Sequence, residues 1–219
     1  MTVRALVFDF DGLILDTESS LFRVWCQVFD EYGCAPLTIA EWSAEVGTQG
    51  AFDVLAEFVA RAPHDVDLDE MHARRRARYA ELVAREAARP GVIEWLDTAR
   101  ELELGVAIAS SSRREWVDPH LTRLGLRERF LHLACWCDEL AAKPAPDTYL
   151  AACAALRVEP THAIAIEDSP NGIAAARAAG MRVVAVPNLV TAQLDVSAAD
   201  VVLDSLADHD LTDIIGLLD

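Results

Sequence analysis

Ala5-Leu6-Val7-Phe8-Asp9-Phe10-Asp11-Gly12 is the stretch that decides the fold. Ala5 to Phe8 is an apolar, β-rich run that predicts a buried strand. Two carboxylates then arrive with one residue between them, and Gly12 lets the chain turn. Open α/β sheets place their ligands at the carboxyl ends of such strands. An ordinary Asp-Gly turn would use the same residue types. Asp9, however, comes before any turn residue, where an unpaired charge is costly to desolvate. A divalent cation would offset that cost, and Mg²⁺ favours one or two carboxylates together with water and phosphate oxygens.

The bulk composition narrows the field. At 219 residues the chain has room for one large domain or a domain with an insertion, and its 53% hydrophobic and 25% charged residues are ordinary for a globular protein. A net charge of −17 argues against nucleic acid and anionic membranes as partners, since both need clustered basic surface. A phosphorylated metabolite would then need local positive charge or metal. Asp9, Asp11 and Asp16 interrupt the N-terminal apolar run, so neither a membrane span nor a secretory signal is expected there. The five cysteines fit reduced thiols in a cytoplasmic protein, with Cys135-Trp136-Cys137 too sparse for a metal site. A monomer or weak homodimer is expected.

Beyond Gly12 the period changes from strand to helix. Helices are predicted from about Leu21 to Tyr32, closed by Gly33, and over Ile39–Val46, Ala51–Arg61 and Leu68–Ala88, with no strand between Ser19 and Arg89. Pro90-Gly91 marks a return to alternating helices and strands, as a doubly wound parallel sheet requires. Strands are predicted at Gly105–Ala109, Leu131–Trp136, Ala163–Ile166, Arg182–Val186 and Val201–Leu203. Helices are predicted at Val92–Leu102, Arg114–Leu124, Asp147–Arg157, Ile173–Ala179 and Leu211–Leu218. The expected class is therefore α/β, a doubly wound parallel sheet formed by residues 1–15 and 89–219, with an inserted all-helical unit over 16–88.

Three more polar signals fall at strand ends. Ser110 closes the second core strand just before a helix, so its hydroxyl and the Ser111 amide suit either phosphate oxygens or a helix cap. Lys143 lies in a loop with Pro144 and Pro146, which restrict where its amine points. It is the chain's lone lysine, so this position wants a compact ammonium. Ile164-Ala165-Ile166-Glu167-Asp168 ends a second apolar strand in two acids. Carboxylates suit a helix N-terminus, but acidic ends on two strands favour a shared metal.

Together these residues resemble the haloacid dehalogenase superfamily in its β-phosphoglucomutase and small-metabolite phosphatase branch. The resemblance rests on Asp9-Phe10-Asp11-Gly12-Leu13-Ile14-Leu15-Asp16-Thr17-Glu18, Ala109-Ser110-Ser111-Ser112, Lys143-Pro144 and Glu167-Asp168-Ser169-Pro170-Asn171-Gly172. It implies a Rossmann-like core with a helical cap and a Mg²⁺-dependent phosphatase working through an aspartyl-phosphate. Asp9 would be the nucleophile and Asp11 the general acid and base, with Ser110 and Lys143 on the transferring oxygens. Mg²⁺ would be held by Asp9, the Asp11 carbonyl and Asp168, with Glu167 contributing directly or through water. Ser111, Arg113 and the cap-loop Gly50 fall where substrate contacts are expected.

The same resemblance leaves a sugar phosphomutase as the alternative, and a non-catalytic binding protein as a third reading. The retained charged residues argue against the last. The mutases' cap histidine and arginine fall here on Leu21 and Gly50, neither of which can serve a second phosphate, so hydrolysis of a small phosphorylated metabolite is expected. The cap arginines Arg74, Arg75, Arg76 and Arg78, with His72, read as a solvated helix face paired to acids such as Glu81.

Overall fold

The computed structural model describes residues 2–47, 52–63 and 65–218. Six parallel strands form one sheet: β1 (Ala5–Phe8), β2 (Gly105–Ser110), β3 (His132–Cys135), β4 (Ala163–Glu167), β5 (Arg182–Ala185) and β6 (Val201–Val202). Their order is β3-β2-β1-β4-β5-β6. The chain steps outward from β1 in one direction and then crosses to its other side at β4, so the topological switch point lies between β1 and β4. In register, Phe8 faces Ile108 on one side and Ile166 on the other. Asp9 and Glu167 therefore follow at the same level of the sheet.

Alternation along the strands sorts the core into two layers. Leu6, Phe8, Ile108, Ile164 and Ile166 face one side, where they pack with Trp95 and Leu96 of α5 (Val92–Glu101), Val117 and Leu121 of α6 (Arg114–Arg123) and Ile214 of α9 (Leu211–Leu218). Ala5, Val7, Ala107, Ala109, Ala163 and Ala165 face the other, under α7 (Asp147–Leu156) and α8 (Pro170–Ala178). The small side chains of that face let both helices lie close to the sheet.

Between β1 and α5 the described chain is all helical: α1 (Thr17–Glu31), α2 (Ile39–Gly47), α3 (Val54–Arg61) and α4 (Leu68–Arg85). These helices bury a third apolar cluster around Trp25, Phe29, Trp42 and Phe58, which also takes in Val190 from the far end of the chain. Among the described residues, no helix is long and apolar enough to cross a membrane.

Boundaries depart from the sequence reading where caps decide them. Helix α8 starts at Pro170, not Ile173, because the Ser169 side chain accepts the Gly172 amide and proline suits the first helical position. Helix α3 starts at Val54 because Asp53 caps the Leu55 and Ala56 amides at 3.0 Å. Of the α4 arginines, Arg74 and Arg78 pair with an acid, but across helices: both reach Glu31 of α1, while Arg75 lies over the Trp25 ring and Glu81 takes Arg85. All five cysteines are free thiols.

Candidate active site

Asp9 leaves β1 with its amide still in the sheet, donating to Ile166 O at 2.9 Å. Its side chain is thereby held at the switch point, 6% exposed. Lys143 approaches from the loop before α7, and its ammonium bonds Asp9 Oδ1 and, at 2.6 Å, Glu167 Oε1. Glu167 is fully buried and both of its oxygens are engaged. Oε1 also accepts the Tyr149 hydroxyl at 2.6 Å, and Oε2 accepts the Asp168 amide at 3.0 Å and the Ser169 amide at 3.4 Å. Glu167 thus holds Lys143 against Asp9. Gly172 makes this possible, because a Cβ there would lie 1.8 Å from Glu167 Oε1.

Asp168, next along, turns its Oδ2 to Asn188 Nδ2 at 2.7 Å. Asp9, Glu167 and Asp168 each offer an oxygen within 4.8 Å of the others. Three buried carboxylates face one ammonium, so negative charge is in excess. Burial first, then the neighbouring carboxylates, pushes Asp9 up to about 8 despite Lys143, and raises Asp168 as well. Burial works to lower Lys143, but Asp9 and Glu167 outweigh it and raise its pKa. This donor set suits a hard divalent cation, which takes carboxylate oxygens and relieves the excess charge.

Asp11 sits beside this cluster and outside it. Ser112 Oγ donates to its Oδ2 at 2.6 Å and Trp116 Nε1 to its Oδ1 at 2.9 Å. Ser110 is 1% exposed at the end of β2, and its Oγ accepts the Ser112 amide at 3.0 Å. Ser111 Oγ accepts the Lys143 amide at 3.1 Å. A cavity of about 580 Å³ joins these groups and is lined by Asp9, Asp11, Ser110, Ser111, Lys143 and Asp168. Thr17, Glu18 and Tyr79 of the helical segment line it too.

One expected contact falls elsewhere. Arg113 does not line the cavity; its guanidinium lies over the Trp136 ring at 4.2 Å and faces Asp138 at 3.7 Å. Gly50 lies outside the described residues. Conversely, Ser112, Trp116, Tyr149, Asn188 and Glu18 carry contacts or cavity surface that sequence reasoning gave no role. Glu18 stood inside the quoted motif. Trp116 and Tyr149 both occupy the first turn of a helix that follows a site loop, and that placement was the available signal.

The haloacid dehalogenase-like hydrolase family model matches residues 6–186, from β1 through β5. The chain belongs to this family. Among its relatives, YhcW of Bacillus subtilis (strain 168) is 39% identical over 95% of this chain and 94% of its own length. Hexitol phosphatase B of Escherichia coli (strain K12) is 34% identical over 98% and 97%. A haloacid dehalogenase family hydrolase from Deinococcus radiodurans R1, solved with bound phosphate and sodium, superposes with a TM-score of 0.78 at 26% identity, covering 98% of this chain and 97% of that one. As in any haloacid dehalogenase-like hydrolase, the α/β core is the doubly wound sheet described above.

Proposed function

We propose that this haloacid dehalogenase-like hydrolase is a Mg²⁺-dependent phosphatase of small phosphorylated metabolites, working through an aspartyl-phosphate on Asp9. The observation that carries the reading is Lys143, whose ammonium joins Asp9 to Glu167 at the switch point beside Asp168. We take residues 1–15 and 89–219 as the catalytic core and 16–88 as a cap that closes over it. A cytoplasmic setting suits the free thiols.

Asp9 attacks phosphorus and the leaving oxygen departs, splitting one displacement into two. Asp11, held by Ser112 and Trp116, protonates the departing alkoxide and then takes a proton from the water that attacks the phosphoryl-aspartate. Ser110 and the Ser111 amide hold the transferring oxygens, and Lys143 offsets their charge at short range. Asp9 and Asp168, with the Asp11 carbonyl, would hold Mg²⁺, which when bound neutralises phosphate charge and shields the nucleophile. Glu167 contributes by fixing Lys143.

Beyond the reacting phosphate, the cavity offers an acid and an aromatic wall. Glu18 has no hydrogen-bond partner among the described residues and lines the cavity. Its free carboxyl oxygens can accept, so it suits hydroxyl donors. A hydroxyl-rich, otherwise neutral phosphomonoester fits best, in keeping with the hexitol phosphatase among the relatives. The test is phosphate release from a panel of sugar, polyol, nucleoside and carboxylic-acid monophosphates, with chelator and with Mg²⁺ restored. Turnover should vanish with chelator and return with Mg²⁺, polyol and sugar esters leading. Full turnover after exhaustive metal removal would overturn the assignment.

A further inference from the structure

Asn188 is 4% exposed, and its side-chain amide has four partners. Oδ1 accepts the amides of Val190 at 2.9 Å and Thr191 at 3.1 Å. Those two donors leave no ambiguity in the amide's orientation, so Nδ2 must face the site. There it donates to Asp168 Oδ2 at 2.7 Å and to Gly12 O at 3.3 Å. Thr191 adds to the same carboxylate: its fully buried hydroxyl accepts the Asn188 backbone N–H at 2.9 Å and donates to Asp168 Oδ2 at 3.5 Å. Asp168 Oδ2 is thus committed to the protein, and Oδ1 is the oxygen left for a ligand.

The other side of this short segment belongs to the helices. Val190 is fully buried in the apolar cluster with Trp25, Phe29, Trp42 and Phe58. Its carbonyl accepts the Ser43 hydroxyl of α2 at 3.2 Å. Four residues therefore carry a side-chain amide bonded to Asp168 at one end and an anchor in the helical segment at the other. The Gly12 carbonyl, one residue past Asp11, also takes Arg89 Nη1 at 2.6 Å, and Arg89 grips Val186 O and Pro187 O just before the segment. Displacing α2 moves Val190, and Val190 cannot move without disturbing the Asn188 fork.

We infer that Asn188–Thr191 is a positioning segment that aims the Asp168 carboxylate at the divalent cation and links its affinity to the seating of α2. This rests on the metal reading proposed above. Groups that orient metal ligands typically change affinity about 10–100-fold when removed. Coupling between sites typically spans about 5–150-fold.

The experiment titrates Mg²⁺ alone into the full chain by calorimetry, with circular dichroism to confirm folding. Asp168→Asn should abolish binding. Asn188→Ala should weaken it about 10–100-fold. Thr191→Val should weaken it severalfold while Thr191→Ser does not, and this isosteric pair carries the test if Asn188→Ala fails to fold. Val190→Ala, which keeps the backbone amide that Asn188 Oδ1 accepts, should weaken it about fivefold or more. Native affinity in folded Asn188→Ala or Thr191→Val, with binding lost in Asp168→Asn, overturns the inference and leaves the metal reading standing. Native affinity in Val190→Ala overturns the link to α2. Native affinity in Asp168→Asn overturns the metal reading itself.

Discussion

Trp116 Nε1 donates to Asp11 Oδ1 at 2.9 Å, and the same indole lies parallel to the Tyr79 ring of α4, 6.1 Å between centroids and 9° between planes. One side chain of the core therefore holds the proposed general acid and forms the face on which the helical segment rests. Trp116→Phe keeps the stacking and deletes the donor. A hydrogen bond to a charged group is worth about 1.5–3 kcal/mol, which is tenfold or more in rate. The rate of phosphoenzyme formation from an alkyl phosphate should fall about tenfold. From p-nitrophenyl phosphate, whose leaving group needs no proton, it should barely change. Equal losses on both substrates would mean that Trp116 only supports the fold.

The two aspartates of the opening motif should fail differently. Asp9→Asn should abolish phosphoenzyme formation, because an amide is a poor nucleophile. Asp11→Asn should still form it with good leaving groups, while losing about 10²–10⁴-fold on alkyl phosphates. Quench-flow with radiolabelled phosphate separates the two. Phosphoenzyme in Asp9→Asn would disprove the nucleophile assignment.

Much of this site was legible in the sequence because its residues sit at strand ends, where continuous apolar runs stop in acids or hydroxyls. Asp9, Ser110 and Asp168 were found that way, and β1, β2 and β4 deliver them together. Residues that act through another residue left no such mark. Asn188 reads as a turn residue after Pro187, and its contact with Asp168 spans 20 positions. Trp116 reads as the apolar face of α6, although its nitrogen reaches 105 positions back to Asp11. Arg113 shows the converse error. Closeness to Ser110 in sequence suggested a substrate contact, but the half-buried ring of Trp136 takes its guanidinium.

Helix α2 opens on a capping box that makes its stability pH-dependent. Thr38 N and Oγ1 both donate to Glu41 Oε2 at 2.8 Å, and the Glu41 amide donates to Thr38 Oγ1 at 3.3 Å. Arg61 Nη2 adds an ion pair to Glu41 Oε1 at 2.6 Å. The Arg61 hydrogen bond, followed by those from Thr38, holds the Glu41 carboxyl down at about 2. A folded-state value below the unfolded one means stability is present above the ordinary value of 4.5 and is lost as pH falls toward 2. Glu41→Gln should lower the melting temperature at pH 7 by a few degrees, as loss of about 1 kcal/mol does in a chain of this size. The difference from the native chain should shrink as pH falls below 4. A gap that stays constant from pH 7 to 3 would show that Glu41 acts through packing and not through its charge.

Hydrolysis and phosphoryl transfer between sugar positions are separated by how the cavity treats a second anion. A mutase must hold a bisphosphate by its far phosphate while excluding water. Of the residues lining the cavity, Lys143 is the one lysine or arginine among those described, and its ammonium is already shared by Asp9 and Glu167. Thr48, Gln49, Gly50 and Ala51 contribute no cation by composition. Arg75 of α4 lies over the Trp25 ring at 5.0 Å and does not line the cavity. Glu18 lines the same cavity, and burial, followed by Asp11 and Asp16, raises its carboxyl to about 7. Below that pH it is largely a neutral carboxyl, and above it a carboxylate that repels a second anion. Discrimination in kcat/KM between a hexitol monophosphate and the matching bisphosphate should therefore favour the monophosphate and widen as pH rises from 6 to 8. Glu18→Gln should flatten that rise. Given a hexose 1-phosphate primed with its bisphosphate, the enzyme should release free phosphate faster than it changes the isomer ratio. Isomerisation outrunning phosphate release would make this chain a mutase and locate a distal phosphate site that the cavity wall does not provide.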